Sequence, residues 1–179
     1  MGIIRDVSAE DLLLRNATES DLPIFFEQQL DAEANHMAAF TADDPSDQEA
    51  FRAHWTRILL DETVTTRTIV VLGQVVGHVL KYEELGRPEV SYWIGRDYWG
   101  RGIASLALAT FLAQVRARPL YARAARDNLA SLRVLQKCGF VRCGESRGFA
   151  AARGCEIDEV LLYLPGDERD TEQDEGPVP

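Results

Sequence analysis

The stretch from Ser91 to Ser105 constrains the chain more than any other. Tyr92, Trp93 and Ile94 favour a pleated, half-buried surface. Asp97, Tyr98 and Trp99 show no period. From Ile103 onward, Leu106, Ala107, Phe111 and Val115 fall at helical spacing. The stretch therefore predicts a strand, a short turn and a helix that opens across Gly100 to Ser105. The first turn of a helix carries unpaired N–H groups and the positive end of the macrodipole. Glycines there let a ligand come close to the backbone. Together these make an anion site suited to a pyrophosphate. Two familiar phosphate motifs are excluded. No Lys-Ser/Thr pair follows Gly102, and the third glycine of a G-x-G-x-x-G run is replaced by Ser105.

A chain of 179 residues with 46% apolar content predicts one soluble domain, and no apolar run reaches the roughly 18 residues of a membrane helix. The N-terminus shows no hydrophobic region of a signal peptide, so the expectation is a cytoplasmic protein with no membrane partner. Cys138, Cys143 and Cys155 are an odd number without Cys-x-x-Cys spacing, which predicts reduced thiols and no metal site. With 29 acidic and 19 basic residues the net charge is −10, against nucleic-acid binding. The charge suits a cationic acceptor such as an amine, and equally serves solubility. Residues 1–164 read as the domain. Residues 165–179 read as an acidic, disordered tail.

In chain order, Leu12 to Arg15 predict a strand, and Thr18 with Asp21 a capping pair for a first helix. Asp31 to Asp44 reads as a break, with His36, Met37 and Phe40 inside it. Ser46 to Glu49 reads as a capping box before a helix buried through Phe51, Trp55, Ile58 and Leu59. Thr66 to Tyr82 predicts a hairpin with a Gly73-Gln74 type II′ turn. His78 lies on its second strand, opposite Val79. The central strand and a helix from about Gly102 to Arg116 follow. Then come a strand from Pro119, a helix capped by Asn128, and two strands over Phe140 to Glu145 and Cys155 to Leu164. The order β-α-α-β-β-β-α-β-α-β-β predicts an α+β sandwich around a mixed sheet.

The turn, as Trp99-Gly100-Arg101-Gly102-Ile103-Ala104, resembles the acetyl-coenzyme A signature of the GCN5-related N-acetyltransferases (GNAT), usually Gln/Arg-x-x-Gly-x-Gly/Ala. Trp99 replaces the usual first residue, as in the branch holding the ribosomal-protein N-terminal acetyltransferases. The segment Asn128 to Phe140 resembles the same branch. The resemblance, continuous in pattern from about Leu12 to Leu164, implies the acyl-CoA N-acyltransferase fold, with a mostly antiparallel mixed sheet flanked by helices. It implies acetyl-coenzyme A as acyl donor, no metal, and direct attack on the thioester by an amine, with a homodimer common among relatives. Cofactor contacts are implied for Ile94, Gly95, Trp99, Gly100, Arg101, Gly102, Ile103, Ala104, Ser105, Asn128 and Ser131. The backbone N–H of Ile94 or Gly95 would polarise the thioester oxygen. By the same resemblance His36, Met37 and Phe40 border the acceptor pocket; read without it, they plug the core under a loop.

For catalysis the resemblance points to Glu89 as proton acceptor and to Ser131 at the cofactor sulfur. An exposed strand-end Glu89 is the plain alternative. Leu135 stands where many relatives carry a tyrosine acid, and Ala150 near the branch's carboxylate. The acceptor, whether a protein N-terminus, a lysine or a small amine, stays open. Two other classes remain: a non-catalytic acyl-coenzyme A sensor on the same fold, and an interaction protein in which the glycine turn is only a turn.

Overall fold

The structure is a computed structural model and describes residues 7–166. The tail expected from Pro165 falls outside the described residues except for Pro165 and Gly166, which are coil. The elements are β1 (Leu12–Asn16), α1 (Leu22–Gln29), α2 (Ala32–Ala38), α3 (Gln48–Leu60), β2 (Thr65–Val71), β3 (Gln74–Glu84), β4 (Arg87–Ile94), α4 (Ile103–Gln114), β5 (Leu120–Ala125), α5 (Leu129–Lys137), β6 (Val141–Ala150) and β7 (Cys155–Leu164). The expected order holds, with one helix added. Among the described residues, no helix is long and apolar enough to cross a membrane.

One sheet of seven strands runs in the order β1-β2-β3-β4-β5-β7-β6. Every neighbouring pair is antiparallel except β4 and β5. Those two are in register at one position, Glu89 with Tyr121. Beyond it β4 continues to Ile94 and β5 to Ala125 with no further pairing. The two strands splay, and a wedge-shaped gap opens in the middle of the sheet. A continuous sheet would leave no such opening, so the splay is what positions a site here.

Period-2 alternation sends successive side chains to opposite faces. Val90 and Ile94, with Tyr92 between them, join Val79, Leu120, Ala122, Val160 and Leu162 in the main core. The apolar face of α4 (Ile103, Ala107, Leu108, Phe111) covers this side, and Leu135 of α5 completes it. The opposite face meets α1 and α3, where Phe25, Phe51 and Trp55 pack in a second cluster. There Phe25 and Trp55 hold the His78 ring between them, at centroid distances of 4.7 and 4.8 Å. At Gly77 a Cβ would fall 2.0 Å from the Trp93 carbonyl oxygen, so the close approach of β3 to β4 admits no side chain there.

Three local expectations are corrected. The cap of α3 is Asp47, whose Oδ1 accepts from the Ala50 N–H at 2.9 Å. Ser46 is withheld because its N–H and hydroxyl both donate to Asp44 Oδ1, at 2.8 and 2.6 Å. The β2–β3 loop is Leu72-Gly73, because Val71 pairs with Gln74. Both loop residues have positive φ, 49° and 80°, which is the type I′ pattern and not type II′. The break after Asp31 contains α2, capped by Asp31 Oδ1 accepting from the Ala34 N–H at 2.8 Å. Thr18 and Asp21 do form a capping box, but around the single 3-10 turn Glu19–Asp21 that leads into α1, and Pro23 sits in the first turn of α1.

Candidate active site

The turn between β4 and α4 starts at Gly95, whose N–H donates to the Val76 carbonyl at 2.9 Å. The Trp99 indole N–H reaches back to the Ile94 carbonyl at 2.8 Å and pins the turn to the end of the strand. Arg101 donates to the Asp97 carbonyl at 2.5 Å and lies over the Tyr98 ring, 5.5 Å from its centroid. Gly100 and Gly102 have φ of 74° and 75°, in the left-handed region where a side chain is strained. No atom stands within 4 Å of where a Cβ would be built at either, so the space above them is open. The first intrahelical bond of α4 is Leu106 N–H to Gly102 C=O, 3.1 Å. The N–H groups of Ile103, Ala104 and Ser105 precede it and lack a helical acceptor. These three donors, with the helix dipole behind them, fit a pyrophosphate.

The gap itself has two walls. On one, Tyr92 projects from β4. On the other, Asn128 begins α5, and its Oδ1 accepts from the Ser131 N–H at 3.1 Å. The Tyr92 and Ser131 hydroxyl oxygens are 2.8 Å apart. Burial pushes the Tyr92 hydroxyl up to about 12, outweighing that hydrogen bond, so it stays protonated at neutral pH. Asn128 Nδ2 donates to the Met37 carbonyl at 3.0 Å, so both ends of this amide are committed inside the protein. Arg153 anchors the same region: it forks onto Asp127 at 2.6 and 3.0 Å and donates to the His36 carbonyl at 2.8 Å. The cofactor wall and the last turn of α2 are thus joined by three side chains.

Glu89 marks the root of the gap and is 4% exposed. Its Oε1 accepts from Arg123 Nε and Nη2 at 3.0 and 2.7 Å, and its Oε2 from the Tyr82 hydroxyl at 3.4 Å. It is neither at the strand end nor exposed. Burial, and then the Glu89 charge, push the Tyr82 hydroxyl up to about 12. Arg123 is a residue that sequence reasoning passed over. The alternation of β5 sets it on the face opposite Ala122 and Ala124, and that signal was legible.

The gap opens into one cleft of about 1650 Å³, which reaches from the glycine turn across the sheet to α3 and the β6–β7 ribbon. Of the residues singled out from sequence, Glu89, Ile94, Trp99, Gly100, Gly102, Ile103, Ala104, Ser105, Asn128 and Ser131 line it, as do Met37 and Phe40. Gly95 and Arg101 do not. Phe40 packs near Gly148 and follows Ala39, a fully buried residue at φ 68°. Ser146 and Glu159 line the cleft too, and no sequence pattern singles them out. Among the described residues, no cluster of His, Cys, Asp and Glu could hold a metal.

Residues 11–141 match the family model for the acetyltransferase (GNAT) domain. The uncharacterized N-acetyltransferase p20 of Bacillus licheniformis is 29% identical over 86 residues, which are 46% of this chain and 48% of that protein. The chain thus spans about half the length of the curated relative it matches. Among solved structures, the ribosomal-protein-alanine N-acetyltransferase of Brucella melitensis superposes with a TM-score of 0.71 at 24% identity, covering 86% of this chain and 99% of that one. The spermidine N-acetyltransferase of Vibrio cholerae, in complex with CoA and spermine, gives 0.72 at 16% identity, covering 87% and 95%. At these identities the likeness is one of fold, and it agrees with the splayed seven-stranded sheet. A family model that takes in most of the sheet, the glycine turn and α5 decides the assignment: this chain belongs to the GNAT acetyltransferase domain family.

Proposed function

We propose that the chain transfers an acetyl group from acetyl-coenzyme A to a primary amine in a ternary complex. The observation that carries this reading is the glycine turn at the head of α4, set beside the splayed gap between β4 and β5. The pyrophosphate would lie on the Ile103 to Ser105 N–H groups. The pantetheine arm would fill the gap, with the thioester near the end of β4. The Gly95 N–H is already bonded to Val76. That leaves Ile94 to polarise the thioester oxygen, and antiparallel alternation turns its N–H away from β3 toward the gap. The acceptor amine would come from the face lined by Tyr82, Glu89 and Trp93. The acidic balance of the chain favours a cationic acceptor. Three unpaired cysteines, two of them exposed, favour a reducing compartment, and we place the protein in the cytoplasm.

Thermal unfolding with acetyl-coenzyme A tests the binding half of the reading. At a hundredfold excess over its dissociation constant the ligand should add about 2.7 kcal/mol of stability. Ser105→Asp sets a carboxylate at the third position of α4, where it suits the helix dipole but competes with phosphate. The variant should fold as well as wild type and lose the ligand response. An unaltered response in Ser105→Asp would remove the pyrophosphate from this turn. Release of free coenzyme A with a panel of amines tests the catalytic half, and binding without release would favour a sensor.

A further inference from the structure

The face of the sheet that would receive the acceptor carries a second buried carboxylate. Glu159 on β7 is 9% exposed and accepts from the Ser146 hydroxyl of β6 at 2.8 Å. Its neighbour of opposite charge is Arg123, whose Nε and Nη2 are already spent on Glu89. Across β4, β5 and β7 the charges therefore run negative, positive, negative, and one negative charge is left over. A buried carboxylate with a single neutral donor is an expensive arrangement unless a cation completes it. Glu159 and Ser146 both border the cleft.

Strand register gives the height of each carboxylate. Glu89 is level with Tyr121 at the root of the gap. Four residues further along each strand, beyond that one pairing, come Trp93 on β4 and Ala125 on β5, both lining the cleft, and Ala125 is in register with Glu159. Counted by residues from that pairing, Glu159 thus belongs to the mouth of the gap on the side of the end of β4, where the thioester oxygen would meet the Ile94 N–H. Glu89 lies five residues before Ile94, about 16 Å at roughly 3.3 Å per residue. Both its oxygens are also occupied.

We propose that Glu159 receives the ammonium group of the acceptor and takes its proton. This rests on the acetyltransferase reading above. The proton leaves the ammonium nitrogen for a Glu159 oxygen, directly or through one water. The freed lone pair forms the N–C bond at the acetyl carbonyl carbon, and collapse of the tetrahedral species breaks the C–S bond. The thiolate takes up a proton, the nitrogen sheds its second one, and Glu159 returns its own to solvent. The products are the amide, free coenzyme A and one released proton. Glu89 then acts as a positioning residue that fixes Arg123.

Two nucleophiles separate this role from a structural one. Ethylamine is protonated at neutral pH and needs a base. Hydroxylamine is largely unprotonated and does not. At saturating acetyl-coenzyme A, Glu159→Gln should lower turnover with ethylamine by about 10²-fold, the low end for a lost general base. It should leave hydroxylamine turnover and the coenzyme A thermal shift near their wild-type values. Glu159→Asp, which keeps the carboxylate, should retain intermediate ethylamine turnover, and the same ethylamine-specific loss in it serves if the Gln variant does not fold. Equal losses with both nucleophiles, or none with ethylamine, would overturn the proposal while leaving the parent reading intact. A wild-type protein that binds coenzyme A but acetylates neither nucleophile would overturn both.

Discussion

The Tyr92 hydroxyl stands 2.8 Å from that of Ser131, and the two residues come from opposite walls of the gap. Ser131 gives its backbone N–H to the Asn128 cap, so its hydroxyl is free for this contact. Tyr92, held protonated by burial, can donate. On the acetyltransferase reading proposed above, the pair would give a proton to the departing sulfur, which Leu135 cannot. Ser131→Ala and Tyr92→Phe should each lower turnover at saturating acetyl-coenzyme A more than they weaken its binding. That is the mark of an interaction made in the transition state. Since the two act together, the double variant should fall short of the summed losses. Each single change should cost about 1 kcal/mol of stability. Wild-type turnover in both single variants would reduce the contact to packing.

The two tight hairpins share a strained leucine. Leu72 and Leu85 have φ of 49° and 51°, each followed by a glycine of positive φ. The two residues are 76% and 87% exposed, so little packing offsets the strain. Type I′ turns favour Asn at this position because its short polar side chain tolerates the left-handed region. Leu72→Asn and Leu85→Asn should each raise stability by about 1 kcal/mol, against the 1–3 kcal/mol usual for such strain. Urea unfolding measures this. A loss in either variant would mean that its leucine makes a stabilising contact.

The fold was legible where spacing carries the information. The period change at Ile103 locates α4, and Asn128 locates α5 through its cap. The α2 helix was not legible, because small and acidic residues hide its period; only Asp31 with the Ala34 N–H marks its start. At the site, the backbone half could be read from Gly100 to Ser105, since a phosphate cradle is local in sequence. The side-chain half could not. Glu89, Arg123 and Glu159 meet through strand pairing over 34 and 36 residues of separation, and only the register makes them one track. Tyr92 looked like an ordinary strand aromatic until α5 was set beside it. The cap of α3 and the type of the β2–β3 turn were missed for another reason: Asp44 competes for Ser46, and a shift of one residue in the loop exchanges the turn type.

Acid stability gives the last test. His78 is half-buried between Phe25 and Trp55 on the wall of the cleft, and burial followed by the nearby His54 lowers its pKa from 6.5 to about 3. Its Nδ1 has no partner. Below pH 6.5 the unfolded chain binds a proton here that the folded chain refuses until about pH 3. Stability therefore falls as pH drops through that window, by about 1.4 kcal/mol per unit, or about 2 kcal/mol at pH 5. Asp21 acts lower down. Desolvation would raise its pKa, but hydrogen bonds from Arg15, Thr68 and Thr18 outweigh it and bring the value from 3.8 to about 2. Its contribution is present above pH 3.8 and is lost as pH falls toward 2. His78→Leu removes the titration and the unpaired nitrogen together, and keeps an apolar filling between the two rings. Unfolding free energies measured from pH 7 to pH 5 should fall less in His78→Leu than in wild type, by about 2 kcal/mol at the acid end. Parallel pH curves for the two proteins would mean that His78 takes up its proton in the folded state, from the side of the ring that borders the cleft.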